Sequence, residues 1–378
     1  MVLLMHYKMA FYHEPSGLDP QGWFDVLLRF PLVSFLFRGG FAVQLFFVLS
    51  GYVLAQPAFA SDFVKIRARV WGRPLRLGIP VAIATALAFL AYSNGGYFNA
   101  SAAHAANITW LADTVRPGIT AEQAFWLALW DSMLWGHIDL IPPMWTIRVE
   151  LIGSVLLLGT LGTIGAGRIF LALSLVAVSF VVLFGEQAIY FECFIAGALV
   201  NGMPKLSRPA TWIAAVLGLF VAVYADGQWL AAISSFWSDG TRLVIFQGIA
   251  ATVLVLAVRN GFAAVILQSA ICRWLGMISF SLYLLHFPVL DSLTSYLYVT
   301  AAGNQIEQLA GIVAAVFATL ALSWIFARTV DAAGIRISGA LGRIMSGSSK
   351  QPLSSESASP KLSTGGLEAS LSSGGFTT

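Results

Sequence analysis

Apolar residues in this chain come in long runs that charges rarely interrupt, and this limits the fold more than any other feature. A helix that crosses a bilayer needs about 20 mostly apolar residues. Runs of that length, or near it, cover residues 1–12, 39–57, 75–93, 143–163, 168–184, 187–201, 210–226, 241–258, 276–298 and 306–328. Membrane barrels show short segments of alternating polarity instead, so the runs predict helices. Only 10% of the 378 residues are charged and 58% are hydrophobic, whereas soluble domains carry about 25% charged residues. Too few charges remain to cover a water-facing surface, which excludes a soluble globular enzyme, a disordered chain and a coiled coil. The expected fold class is an all-α integral membrane protein with about ten transmembrane helices. The first helix is expected to be incomplete, because Met1 stands only five residues before His6. Residues 122–138 are apolar too, but Asp131 interrupts them, and they read as re-entrant or interfacial.

Charge placement orients the runs. With the segment between the second and third runs in the cytoplasm, Lys65, Arg67, Arg69, Arg73, Arg76, Arg168, Lys205, Arg208, Arg259, Arg273, Arg328, Arg336, Arg343, Lys350 and Lys361 fall on that side, 15 of the 21 Lys and Arg. Lys8, Arg29, Arg38, Arg116, Arg148 and Arg242 fall in the spans or opposite. The opposite loops carry Glu14, Asp19, Asp25, Asp113, Glu122, Asp139, Asp226 and Asp239. This is the positive-inside pattern, and it puts both termini of a multi-pass protein in the cytoplasm, in a plasma membrane or an endomembrane. The sequon Asn107-Ile108-Thr109 then lies in an external loop, 94–142. Residues 1–328 form the transmembrane domain and 329–345 a basic juxtamembrane segment. Residues 346–378 are a Ser/Gly-rich tail, too poor in apolar groups to order itself.

Several chemistries have no motif here. Cys193 and Cys272 stand far apart, without CxxC or zinc spacing. There is no GxxxxGK[ST] loop, HExxH or GxSxG. No metal, bound cofactor or nucleic-acid partner is predicted.

Ionisable groups at membrane depth are costly, so each is a candidate functional residue: His6, Lys8, Arg148, Glu150, Glu192, His286 and Asp291. His6 can act as a general base near neutral pH, or serve as a core histidine bonded to a neighbouring helix. In the cluster 65–76, Lys65, Arg67 and Arg69 read as a headgroup anchor. Gly72 and Pro74 predict that an interfacial piece ends there and that a span starts near Arg73. Arg73 and Arg76, three apart at that start, suit a phosphate-rich ligand such as coenzyme A. Pro142 and Pro143 open the fourth span, where Trp145 and Arg148 share a face and Glu150 lies deeper, able to hold a histidine or an acceptor hydroxyl. Ser279, Tyr283 and His286, at i, i+4 and i+7, make a polar stripe that serves either a site or interhelical hydrogen bonding. His286 and Asp291 spell HxxxxD, but five-residue spacing on a helix, with Pro288 between, does not bring two side chains together.

These segments together resemble the acyltransferase-3 family of multi-pass membrane acyltransferases. The matching pieces are residues 3–7 with His6, the stretch GGFAVQLFFVLSGY at 39–52, Arg73-Pro74-Leu75-Arg76 with Pro80, WTIRVE at 145–150 and SFSLYLLHFP at 279–288. They occur in family order over residues 1–328. The resemblance implies transfer of an acyl group, usually acetyl from cytoplasmic acyl-CoA, to a hydroxyl or amine of a carbohydrate, lipid or small-molecule acceptor. It makes His6 the principal catalytic residue, with Glu150 at the acidic position of the fourth span and Arg73 and Arg76 as donor-binding. Arg148, Tyr283 or His286 could stabilise the oxyanion, and His6 could act as base or carry the acyl group itself. The family places a basic anchor upstream of the first-span histidine; its absence here predicts a truncated first span. The competing readings are a non-catalytic transporter or lipid-binding protein, and an inactive truncated family member.

Overall fold

A computed structural model describes residues 1–12, 26–28, 30–164, 168–225 and 238–347, and every regular element among them is helical. In chain order the main helices are α1 (Val2–Phe11), α2 (Gly39–Phe59), α3 (Phe63–Ser93), α4 (Trp145–Ile164), α5 (Ile169–Phe184), α6 (Ala188–Val200), α7 (Arg208–Tyr224), α8 (Asp239–Arg259), α9 (Ala270–Val289), α10 (Gln305–Phe326) and α11 (Ala332–Met345). Helices begin where a short polar side chain precedes an apolar run. Ser207, Ser238 and Ser269 accept a hydrogen bond from the third backbone N–H of α7, α8 and α9. Asp62 does the same for α3 and Asn304 caps α10. Each such cap satisfies a donor that the helix itself leaves open.

The described residues of the apolar runs are helical, and ten spans are not confirmed among them. Six described helices are long and apolar enough to cross a bilayer: α2, α3, α4, α8, α9 and α10. The last two run on through π-helical turns, Leu290–Thr294 and Ala327–Asp331, into Ser295–Thr300 and α11. The apolar helices α5, α6 and α7 have 16, 13 and 17 residues, and α1 has 10. Hydropathy marks these shorter runs, but Gly185, in the left-handed region at φ 53°, turns the chain between α5 and α6 before either reaches full length.

A second expectation is corrected at Gly72 and Pro74. No break occurs there: α3 is one helix of 31 residues that includes Gly72, Pro74 and Pro80. The stabilising contact is a neighbour. α11 runs antiparallel along the first half of α3, and a Cβ on Gly72 would lie 2.8 Å from the Ser338 carbonyl oxygen. Gly342 faces the Ala68 carbonyl and Gly334 faces Pro80. Small residues at 334, 338 and 342 thus let two backbones approach, as helices do in lipid. α2 and α6 pair the same way, with Gly51 on the Phe194 carbonyl and Gly197 on the Val48 carbonyl. Within the stretch 329–345, Ala332–Met345 is therefore a packed helix.

Buried apolar side chains form two clusters. One joins α1, the C-terminal half of α3, the 94–141 connection, α9 and α10. The other joins α2, α5, α6 and α8. α4 serves both, through Ile147 and Leu151 on one side and Val149, Leu157 and Leu158 on the other. The outward faces are apolar as well: Phe170, Val178, Val182 and Ile213 are all exposed, a belt that only lipid covers comfortably. Residues 122–138 form the capped helix Ala121–Trp126 and a π-helix, Leu127–Trp135. Phe125, Trp126, Trp130 and Trp135 are exposed there, while Met133 packs on Gly78 of α3. Glu14, Asp19, Asp25, Arg29, Asp226, Lys350, Lys361 and the tail from 348 lie outside the described residues.

Candidate active site

α1 packs against α2 and α9, which sets His6 beside His286. The His6 Nδ1 atom stands 3.2 Å from His286 Nε2, the rings stack with centroids 5.3 Å apart, and Phe287 meets His6 edge-on at 4.7 Å. Hydrogen-bond bookkeeping fixes the tautomers of a neutral pair. His286 Nδ1 lies 2.8 Å from the Tyr283 carbonyl and 3.2 Å from the Leu282 carbonyl. Carbonyls only accept, so this nitrogen carries the proton and Nε2 of His286 is the acceptor. His6 Nδ1 is then the donor, and the Nε2 lone pair of His6 remains for chemistry.

His6 lines a cavity of about 600 Å³ at the seam between the two apolar clusters. Its wall is drawn from the N-terminal ends of α2 and α8, from 142–145, from Tyr190 of α6 and from Tyr283 of α9. α2 ends where α3 begins, so the start of α2, the start of α4 and the 94–141 connection share one end of the bundle. The cavity belongs to that end. Trp145 lies on its wall, 5.1 Å from the Tyr190 ring in a T-shaped contact. Tyr283 shows its ring but has committed its hydroxyl, which donates to the Pro143 carbonyl at 2.9 Å and lies 2.7 Å from Thr146 Oγ1.

The arginines stand deeper and are paired. Arg73 forms an ion pair with Glu150 and donates from Nε to Ser154 Oγ at 2.9 Å. Ser50 donates to Glu150 Oε1 at 3.0 Å. Glu150 thus holds an arginine and a serine, where its sequence context left a histidine or an acceptor hydroxyl open. Arg76 forms an ion pair with Asp331 and lies over the Phe280 ring at 5.3 Å. The two arginines therefore face different partners, on α4 and on the π-turn before α11. Phe280, Tyr283 and His286 follow one another on α9, so that helix connects Arg76 to the histidine pair over about 9 Å of axial rise.

The other candidates divide. Arg148 donates to Gln187 at 3.3 Å and lies over Phe184 at 5.8 Å, on the α5–α6 turn. Ser279 is exposed and donates to the carbonyl of Gly276 in its own helix, so it leaves the stripe, while Tyr283 and His286 stay in it. Asp291 does not meet His286 through a hydrogen bond; it is fully buried and accepts from Thr114 Oγ1 at 2.9 Å. Lys8 lies near the Tyr12 ring, and Glu192 has one buried carboxylate oxygen without a hydrogen bond. The sequence reading missed Gln44, Gln247 and Tyr190 on the cavity wall. Their only sequence signal is an amide inside an apolar run, which a search for ionisable groups passes over.

A family model described as an acyltransferase domain matches residues 1–328. Comparison with curated proteins and with solved structures gave no match.

Proposed function

Because the chain belongs to the acyltransferase-3 family, we propose that it transfers an acyl group from acyl-CoA, with acetyl-CoA as donor, to a hydroxyl or amine of a carbohydrate, lipid or small-molecule acceptor within the membrane. The observation that carries this reading is the His6–His286 pair at the wall of a ligand-sized cavity. His6 Nε2 takes the proton of the acceptor, the acceptor attacks the thioester carbonyl, and the C–S bond breaks to release coenzyme A. His286 keeps the proton on His6 Nδ1 and so keeps Nε2 available. The same lone pair can take the acyl group as an acyl-imidazole, and label retained on the protein without acceptor separates that course from direct transfer.

The donor end follows from the paired arginines. Arg76, a quarter exposed on its side chain, is the cation placed to meet the donor phosphates, in exchange for Asp331. Arg73 stands behind it and keeps Glu150 in place. Positive-inside orientation puts this end toward the cytoplasm, where acyl-CoA is made, and puts the cavity at the external end.

The test is release of coenzyme A and formation of acyl product by purified protein. His6→Ala is expected to remove transfer at least about a hundredfold, the scale of a lost general base, while the protein stays folded in detergent. Full activity in a folded His6→Ala protein contradicts the assignment.

A further inference from the structure

Two buried amides on the cavity wall have no part in the chemistry described so far. Gln44, on α2, is 1% exposed, and Gln247, on α8, is 5% exposed. A buried amide normally finds partners, since an unsatisfied polar group costs about 1–3 kcal/mol. Gln44 Oε1 accepts from the Cys193 thiol at 2.9 Å, which leaves its NH2 group without a hydrogen bond to a described residue. Gln247 makes no hydrogen bond to any described residue, and both side chains line the cavity. Gly40 keeps the space beside Gln247 open, because a Cβ there would lie 3.1 Å from Gln247 Oε1.

The rest of the wall narrows what those amides meet. Among the described residues that line the cavity, none is a carboxylate. Arg38 brings a positive charge to the rim, and it is already engaged in a contact of its own. Among those lining residues a protonated amine would find no counter-ion in a setting of low dielectric. Trp145, Tyr190 and Tyr283 present ring surface, which suits the C–H faces of a compact molecule whose polar groups point elsewhere.

Resting on the acyltransferase reading above, we infer that the cavity is the acceptor site, that it takes an uncharged, hydroxyl-bearing molecule, and that Gln44 and Gln247 select and orient it. The amide NH2 groups donate to acceptor oxygens, and the Gln247 carbonyl accepts from a hydroxyl. A further hydroxyl gives its proton to His6 Nε2 as its oxygen bonds the thioester carbonyl carbon. The C–S bond breaks, coenzyme A leaves as thiolate, and the product is an ester. Gln44 and Gln247 are positioning residues in this scheme.

The experiment uses the full chain in lipid nanodiscs with labelled acetyl-CoA and three acceptor probes on one scaffold: methyl glucoside, glucosamine and glucuronate. The expected product is a hydroxylamine-labile ester on methyl glucoside. Gln247→Met and Gln44→Met should each raise the KM for methyl glucoside about tenfold and leave the KM for acetyl-CoA unchanged. Gln247→Glu, nearly the same shape, guards against a folding defect: it should shift preference toward glucosamine. A hydroxylamine-stable amide as main product, an unchanged acceptor KM in the Met variants, or coenzyme A release without ester on the glucoside overturns this inference alone. Failure to consume acetyl-CoA at all overturns the acyltransferase reading, and this inference with it.

Discussion

A guanidinium inside a bilayer has to be matched, and Arg73 is matched by Glu150 and Ser154 from one neighbouring helix. Glu150 is 1% exposed and has one carboxylate oxygen left without a hydrogen bond, so the pair has no water to fall back on. Breaking one half of such a pair strands a charge, at a cost of about 3–5 kcal/mol, whereas replacing both halves by apolar groups is often near neutral. Glu150→Gln is therefore expected to lower stability by about 3–5 kcal/mol, read as a fall in Tm in detergent, and Arg73→Met with Glu150→Met is expected to recover most of it. An unchanged Tm in Glu150→Gln contradicts the buried-pair account. At this scale the sequence marked His6, Glu150 and His286 as costly, and each takes part in a paired interaction, whereas it read Arg73 at a helix start and not at depth. It could not say who pairs with whom. His6 and His286 are 280 positions apart, and no periodicity spans such a distance. Reading Arg73 and Arg76 as one face missed that each has its own acid.

Among the elements, α3 and α11 show why local rules misled. Gly72 and Pro74 argue for a break when α3 is considered alone, and they are tolerated because α11 packs its small residues onto that stretch. The approach is closest at Gly342, against the Ala68 carbonyl. Gly342→Leu should force the helices apart and weaken the Arg76–Asp331 pair, with a loss of about 1–3 kcal/mol typical of overpacking. Gly339→Ala, on the same helix but near only the flexible end of Arg343, is the control and should leave Tm unchanged. Equal Tm values for the two variants contradict the close packing. Element existence was legible because hydropathy in lipid is a strong signal, and the start of α4 was legible from Pro142 and Pro143. The lengths of α5, α6 and α7 were legible too, since the runs 168–184, 187–201 and 210–226 are already about as short as those helices.

At the scale of the whole molecule, the chain puts its cations and its cavity at opposite ends. The start of α3 carries Lys65, Arg67 and Arg69, while the cavity gathers the starts of α2, α4 and α8. In the proposed orientation the donor reaches Arg76 from the cytoplasm, the acceptor reaches Gln44 and Gln247 from outside, and His6 stands between them. Positive-inside counting could suggest the orientation, but it could not place a cavity whose wall is drawn from helices as far apart in sequence as α1, α2, α8 and α9. The most direct measurement of this account is acyl transfer in proteoliposomes whose protein orientation has been fixed by impermeant labelling of a cysteine placed at Ser207. With labelled acetyl-CoA supplied to one face only, product should form when the donor is on the face that carries Lys65 and Ser207, and His6→Ala should remove it. Product formed only with donor on the face of the 94–141 connection would contradict the account.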